Sequence, residues 1–479
     1  MTFRISACAL IALALAASLA IPAKARAQDQ TTSANAGEWG TFPVGADFIH
    51  IELTGSAGER RPMDVILLFP ADKESYDEGI PMVFSSRLRG EPLDPTRWDP
   101  ISWTVAADRA RDGVEIDRGG RAFPLIVSSH AAQSAPYNSA PTLERLASHG
   151  FIVAMPFHEG DTQDDRIIDV INQRAGAKFV PCFDAGSSPC LEPSTPLGQQ
   201  KSIRDRALDV RALLDHMPGY FGDRIDMEHV GMLGQSRGSA TALIAAGGST
   251  SLNIAADPRI DAVMTTAAAS RTVTFFANMA NVTVPTLMVT GKIDRNSIPA
   301  ITAEAFNAIA SEEKGLVILE RAEHGVYSGQ RCSQMQATGA IFQANSRAIG
   351  EQLLFENIIV SANSGTPIDY CSFDYFVNPS DVRPLVLAFT GINVSPTNVP
   401  QDLDAADAMR MVLQLANSFF DATLVKQAQP GVHFKQYMSP KFLFLKEGVE
   451  VGYAETQSFQ GTAAICDDPE MAALPIECE

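Results

Sequence analysis

Three residues, Ser236, Asp294 and His324, have the types and the chain order of a nucleophile, an orienting acid and a general base. Ser236 sits in Gly234-Gln235-Ser236-Arg237-Gly238, a G-x-S-x-G pattern. A short apolar run, Val230 to Leu233, precedes it, and a small-residue, helix-competent run, Ser239 to Ala246, follows. A strand can reverse sharply into a helix with serine at the apex only where the flanking positions lack bulky side chains. Such an apex lifts the hydroxyl clear of the sheet and points the following backbone N–H groups at a developing oxyanion. Three fixed residues in five positions recur by chance, so the plain alternative is a strand that simply turns into a helix. The partners decide between them.

Asp294 lies just beyond the apolar run of "PTLMVTGKIDRNSIP", and His324 has the same relation to the next run, "GLVILERAEHGVYSG". Histidine would take the serine proton, while the aspartate would hold its tautomer and stabilise the imidazolium. The order Ser, Asp, His is that of nucleophile-elbow hydrolases. Each partner also has an ordinary reading. Asp294 could cap the helix beginning near Ser297 or pair with Lys292 or Arg295, and His324 could be an exposed loop residue. Glu320 lies within the run, and Glu323 adjoins His324 too closely in sequence to bond its ring. An oxyanion site needs two donors: the N–H of Arg237 is one by construction, and the N–H of Ala132, with Ala131 the alternate, would come from the turn after "PLIVSSH". His130 and His158 fall at run ends near the same mouth, placed to shape it without titrating.

Positioning these groups requires a sheet whose strands end together. "FPLIVSSH" (123–130), "GFIVAMPFH" (150–158), "IDAVMTTAAA" (260–269), "PTLMVTGK" (285–292) and "GLVILERA" (315–322) are continuous apolar runs, the mark of strands buried on both faces of a parallel sheet. Helical patterns alternate with them over 141–149, 203–217 and 298–313. The alternation predicts an α/β fold with a mostly parallel central sheet flanked by helices and right-handed crossovers. "DFIHIELT" (47–54) and "MDVILLFPAD" (63–72) read as antiparallel strands at one edge. Residues 28–429 are expected to form this domain, with excursions around 77–121, 175–200 and 325–400 and a C-terminal extension over 430–479.

"FPLIVSSHAAQSAPYNSAPTLERLASHGFIVAMPFHEGDT", "DVRALLDHM", "GQSRGSATAL", "PTLMVTGKIDR" and "LERAEHGVYS" together resemble the predicted dienelactone hydrolase and platelet-activating-factor acetylhydrolase-like family. The likeness runs from about residue 47 to 425, with "RMVLQLANSFFDATL" as a closing helix. It implies an α/β-hydrolase fold carrying an acyl-transferring serine. Two positions depart from it. Ala131 stands where that family usually has glycine, and Arg237 replaces a small or aromatic residue after the serine. The Arg237 guanidinium could meet a substrate carboxylate or pair with a local acid.

Composition sets the context. The first 27 of 479 residues read as a secretory leader, with Arg4 as the basic flank, an apolar core from Ile5 to Ala20 and an Ala25-Arg26-Ala27 cleavage site. Its loss removes three basic residues and takes the net charge from −19 to −22, which argues against nucleic acid and anionic membrane as partners. No stable membrane anchor is expected, because Pro22 breaks the leader and no other segment is long and apolar enough to span a bilayer. Six cysteines remain: Cys182, Cys190, Cys332, Cys371, Cys466 and Cys478. An even count in an exported chain suggests disulfides, with Cys182–Cys190 across the turn-rich "PCFDAGSSPC" the first choice, then Cys466–Cys478 and Cys332–Cys371. No cysteine or histidine spacing fits a metal site.

The reading is therefore an exported, periplasmic or secreted serine hydrolase cleaving small-molecule or polymeric carboxylic esters through an acyl-enzyme. The Ser-His-Asp machinery requires no metal or organic cofactor. Lactones, thioesters, polyesters, β-diketones or peptides are the alternative substrates on one fold, and an inactive hydrolase-like binding protein is the alternative of a different class.

Overall fold

The computed structural model describes residues 38–54, 60–85, 104–132, 134–162, 196–268, 270–292, 294, 296–319, 322, 324, 327, 405–425 and 451–457. The leader, all six cysteines of the disulfide scheme and the expected excursions beyond residue 327 up to 400 lie outside these residues.

Among the described residues, eleven strands form one sheet: β1 (Val44–Thr54), β2 (Arg60–Pro70), β3 (Ile80–Ser85), β4 (Thr104–Asp112), β5 (Phe123–Ser129), β6 (Ile152–Pro156), β7 (Ile225–Gln235), β8 (Ala262–Thr266), β9 (Thr286–Gly291), β10 (Lys314–Leu319) and β11 (Val451–Gln457). Their spatial order is β11-β10-β9-β8-β7-β5-β6-β2-β1-β4-β3. β5 to β10 are parallel throughout, and β2 joins them antiparallel to β6. The chain runs from β5 out to β6 and then returns to the other side of β5 as β7. The strand order therefore reverses at β5, where open α/β sheets place their ligand crevice. This is the α/β-hydrolase arrangement, a mostly parallel sheet with helices on both faces.

Period-two alternation divides the core. Leu125 and Val127 of β5, Met288 of β9 and Ile318 of β10 face one side, while Ile126, Leu287, Val289 and Val317 face the other. The first side is covered by α2 (Pro196–Phe221), α3 (Arg237–Gly247) and α5 (Pro299–Ala308); the second by α1 (Ala140–Ser148) and α6 (Ala405–Phe420). On α2 the buried stripe is Ile203, Val210, Leu213, Leu214 and Met217, a helical spacing that buries one face. A short α4 (Ser270–Phe276) follows β8. Among the described residues no helix is long and apolar enough to cross a membrane.

Four features differ from the sequence reading. Part of the stretch 430–479 read as a C-terminal extension forms β11, which pairs antiparallel with β10 at one edge of the sheet. β1 and β2 pair antiparallel as expected, but they are not at the edge: the β3–β4 hairpin, within the stretch read as an excursion, lies outside them. Its polar strand "TVAADRARD" has no apolar run to reveal it. It is held instead by Glu144 of α1, whose buried carboxylate accepts the N–H groups of Asp108 (3.1 Å), Arg109 (2.7 Å) and Ala110 (3.0 Å). β7 begins five residues before its apolar run, because its polar start bulges: Pro124 pairs with Asp226, yet Leu125 pairs with Val230. Finally, the helix expected over 298–313 stops at Ala308. Lys314 is buried and donates to the carbonyls of Phe306 (3.1 Å), Asn307 (3.3 Å) and Ile309 (2.8 Å), closing the helix C-terminus with a cation.

Candidate active site

Ser236 stands at the junction of β7 and α3 with φ 52° and ψ −115°, a conformation that strains any residue bearing a Cβ. The surroundings enforce it. The Ser236 N–H donates to Thr266 O (2.9 Å), and Ser239 Oγ donates to Gly234 O (3.0 Å) and Thr266 O (3.2 Å). Both flanking glycines are required by contact. A Cβ on Gly234 would lie 2.3 Å from Gly238 O, and one on Gly238 would lie 1.9 Å from Ser129 O. The backbone therefore folds onto itself and onto the end of β5 as the G-x-S-x-G reading predicts.

The next two strands end beside it. Asp294, three residues past β9, is buried, and its Oδ1 accepts the N–H groups of Asn296 (2.8 Å) and Ser297 (2.7 Å). The turn-closing use of Asp294 considered from sequence is thus real and coexists with a second use. His324 Nδ1 lies 2.9 Å from Asp294 Oδ2 and 3.1 Å from Oδ1, and its Nε2 lies 2.9 Å from Ser236 Oγ. With Nδ1–H donating to the carboxylate, Nε2 is left as acceptor for the serine hydroxyl. Ser297 supports the pair: its Oγ donates to Ala267 O (2.6 Å) and stands 3.3 Å from His324 Nδ1. Ala267 is itself left-handed, with φ 46°, at the end of β8. Gly291 lets the histidine loop rest on β9, since a Cβ there would meet Ala322 O at 2.0 Å. Tyr327 packs beside the acid; burial and then the Asp294 charge push its phenol well above the usual range, so it stays neutral.

Beneath the elbow lies a second serine-histidine-aspartate set, absent from the sequence reading. Ser129 Oγ and His158 Nε2 are 2.9 Å apart, and His158 Nδ1 is 2.8 Å from Asp209 Oδ2. Their exposures are 1%, 1% and 0%, whereas a quarter of the His324 side chain is open to solvent. Asp209 comes from α2, which also supplies Ser202 and Arg206 at i, i+4, i+7 spacing on one face. Arg206 Nε donates to Asp161 Oδ2 (2.9 Å), Nη1 to His130 O (2.7 Å) and Ser129 Oγ (3.4 Å), and Nη2 to Ala131 O (3.2 Å). Asp161 Oδ2 also accepts from Ser202 Oγ (2.6 Å) and Arg237 Nη1 (2.8 Å). The Arg237 guanidinium therefore pairs with a local acid, one of the two roles considered from sequence. Burial raises the Asp161 carboxyl, but the charges of Arg206 and Arg237 and the Ser202 and Arg237 hydrogen bonds outweigh it and hold it at about 2. Burial lowers Arg206 to about 10, still charged at neutral pH.

The structure brings Ser236, Asp294 and His324 together, with Arg237 next to Ser236 and Ala131 and Ala132 on the turn after β5. Among the described residues no group of three or more His, Cys, Asp or Glu could hold a metal ion.

No family model matches the chain, and no curated protein matches it. Among solved structures it is similar to a ferulic acid esterase from Streptomyces cinnamoneus, with 16% identity and a TM-score of 0.46 over 81% of this chain and 92% of that one.

Proposed function

We propose that the chain is a serine hydrolase of carboxylic esters, with Ser236 as nucleophile, His324 as general base and acid, and Asp294 as the group that orients the imidazole. The observation carrying this reading is the pair of serial hydrogen bonds, Ser236 Oγ to His324 Nε2 and His324 Nδ1 to Asp294, ending on a strained serine. Attack of Oγ on an ester carbonyl transfers the hydroxyl proton to Nε2, and the imidazolium so formed faces a buried carboxylate. The carbonyl oxygen becomes an oxyanion, to which the N–H groups of Arg237 and Ala132 are assigned as donors. His324 then protonates the departing alkoxide. Water, deprotonated by the same nitrogen, releases the acid and restores the serine. The resemblance to the dienelactone hydrolase and platelet-activating-factor acetylhydrolase-like family and export behind the residue 1–27 leader belong to this proposal.

The test is hydrolysis of a p-nitrophenyl ester series by wild type, Ser236→Ala and Ser129→Ala. Ser236→Ala is expected to lose turnover while remaining folded, and Ser129→Ala to keep it. Turnover by Ser236→Ala near the wild-type rate would overturn the assignment.

A further inference from the structure

We propose that Arg206 and Asp161 are positioning residues that set the oxyanion-binding turn against the elbow; this rests on the hydrolase reading above. The carbonyl of Ala131 and the N–H of Ala132 belong to one peptide group, and in a trans peptide they point in opposite directions. No cis peptide occurs among the described residues. Whatever grips the Ala131 carbonyl therefore aims the Ala132 N–H. Two donors grip it: Arg206 Nη2 at 3.2 Å and His130 Nδ1 at 2.7 Å. The His130 ring is fixed in the tautomer this needs, because its Nε2 accepts the His158 N–H at 3.2 Å, leaving the hydrogen on Nδ1. Arg206 holds the preceding peptide as well, through His130 O at 2.7 Å, so a single planar guanidinium spans two consecutive carbonyls of the turn.

The same turn lies against the nucleophile's own helix. A Cβ on Gly238 would fall 1.9 Å from Ser129 O and 2.9 Å from His130 O, so β5's end and the start of α3 touch backbone to backbone. Asp161 then joins the two halves of the site. One oxygen, Oδ2, accepts from Arg206, which holds the turn, and from Arg237, whose N–H is the other assigned donor. Ser202 adds a third bond to that oxygen, and Asp209 holds His158, so α2 anchors the assembly from below. Arg206, Asp161, His158 and Asp209 are all buried. Their effect on chemistry passes through the turn.

The experiment compares wild type with Arg206→Lys, which keeps a buried cation opposite Asp161 but cannot fork across two carbonyls, and with Asp161→Asn, which keeps the shape. The readouts are kcat and KM on a soluble p-nitrophenyl ester, the inhibition constant of a trifluoromethyl ketone, which forms an oxyanion on binding serine, and the circular dichroism of each protein. Removing one oxyanion donor costs about 100- to 1000-fold in kcat, so misaiming one is expected to cost about 10- to 100-fold. We expect that loss in kcat in each variant that folds, a matching loss of ketone affinity, and KM within about 3-fold of wild type. Wild-type kcat and ketone affinity in a folded variant would overturn the proposal, as would a rise in KM without loss of ketone affinity. Ser236→Ala, measured beside them, separates the two claims: its retention of activity would remove Ser236 as the nucleophile, whereas its inactivity with unimpaired Arg206→Lys would remove only this inference.

Discussion

The two serine-histidine-aspartate sets differ less in distance than in what their serines can reach. Ser129 ends a regular strand, is closed off from solvent and lies within reach of Arg206. Ser236 is held at φ 52° where β7 turns into α3, and its histidine is partly exposed. On the proposed reading, the second set is the one that meets the ester carbonyl. Asp294 should then act through tautomer control. Asp294→Asn keeps the shape but presents an amide to Nδ1, so kcat is expected to drop by about 10³- to 10⁴-fold with the fold retained. A pre-steady-state burst and steady-state kcat on one ester would measure it, and a variant with near-normal kcat would move the acid elsewhere. Ser236, Asp294 and His324 were legible in the sequence because each follows an apolar run, and a run's end is where a parallel strand delivers its residue. The lower network was not. Its bonds join residues 51, 45 and 76 apart, from Asp209 to His158, Arg206 to Asp161 and Arg206 to His130, and no periodicity links such positions.

At the scale of elements, each strand end does one job and glycine permits the close approach. Gly291 ends β9 under the loop that carries His324, with Ala322 O where a Cβ would have to go. Gly291→Ala must push that loop away from Asp294 or distort the strand end. A displacement of about 1 Å in a catalytic group can cost about 100-fold, and a fall in kcat of that order is expected while far-UV circular dichroism stays native. Unchanged kcat would show that the loop is not set by this contact. The buried parallel strands and the helices α1, α2 and α3 could be read from apolar runs and helical stripes, since burial on both faces leaves a dense sequence signal. The β3–β4 hairpin could not, because its hold on the molecule is the Glu144 carboxylate taking three backbone N–H groups from another element. Nor could the early end of α5, which depends on Lys314 from the following strand.

For the molecule as a whole, the buried ion pairs beneath the elbow couple stability to acid. The Asp161 carboxyl sits at about 2 in the fold against an ordinary 3.8, so its contribution is present above the ordinary value and is lost as pH falls through about 2. The difference in urea-unfolding free energy between wild type and Asp161→Asn is expected to shrink by on the order of 2 kcal/mol between pH 5 and pH 2. A difference that stays constant over that range would mean the carboxylate is not held charged by Arg206 and Arg237. The central claim, that one serine in this α/β-hydrolase fold is the nucleophile, is tested most directly by covalent labelling. Treatment of the full chain with a fluorophosphonate, followed by peptide mapping by mass spectrometry, should give a single adduct on the peptide containing Ser236, abolished in Ser236→Ala and retained in Ser129→Ala. An adduct on Ser129, or no adduct on a folded protein, would contradict it.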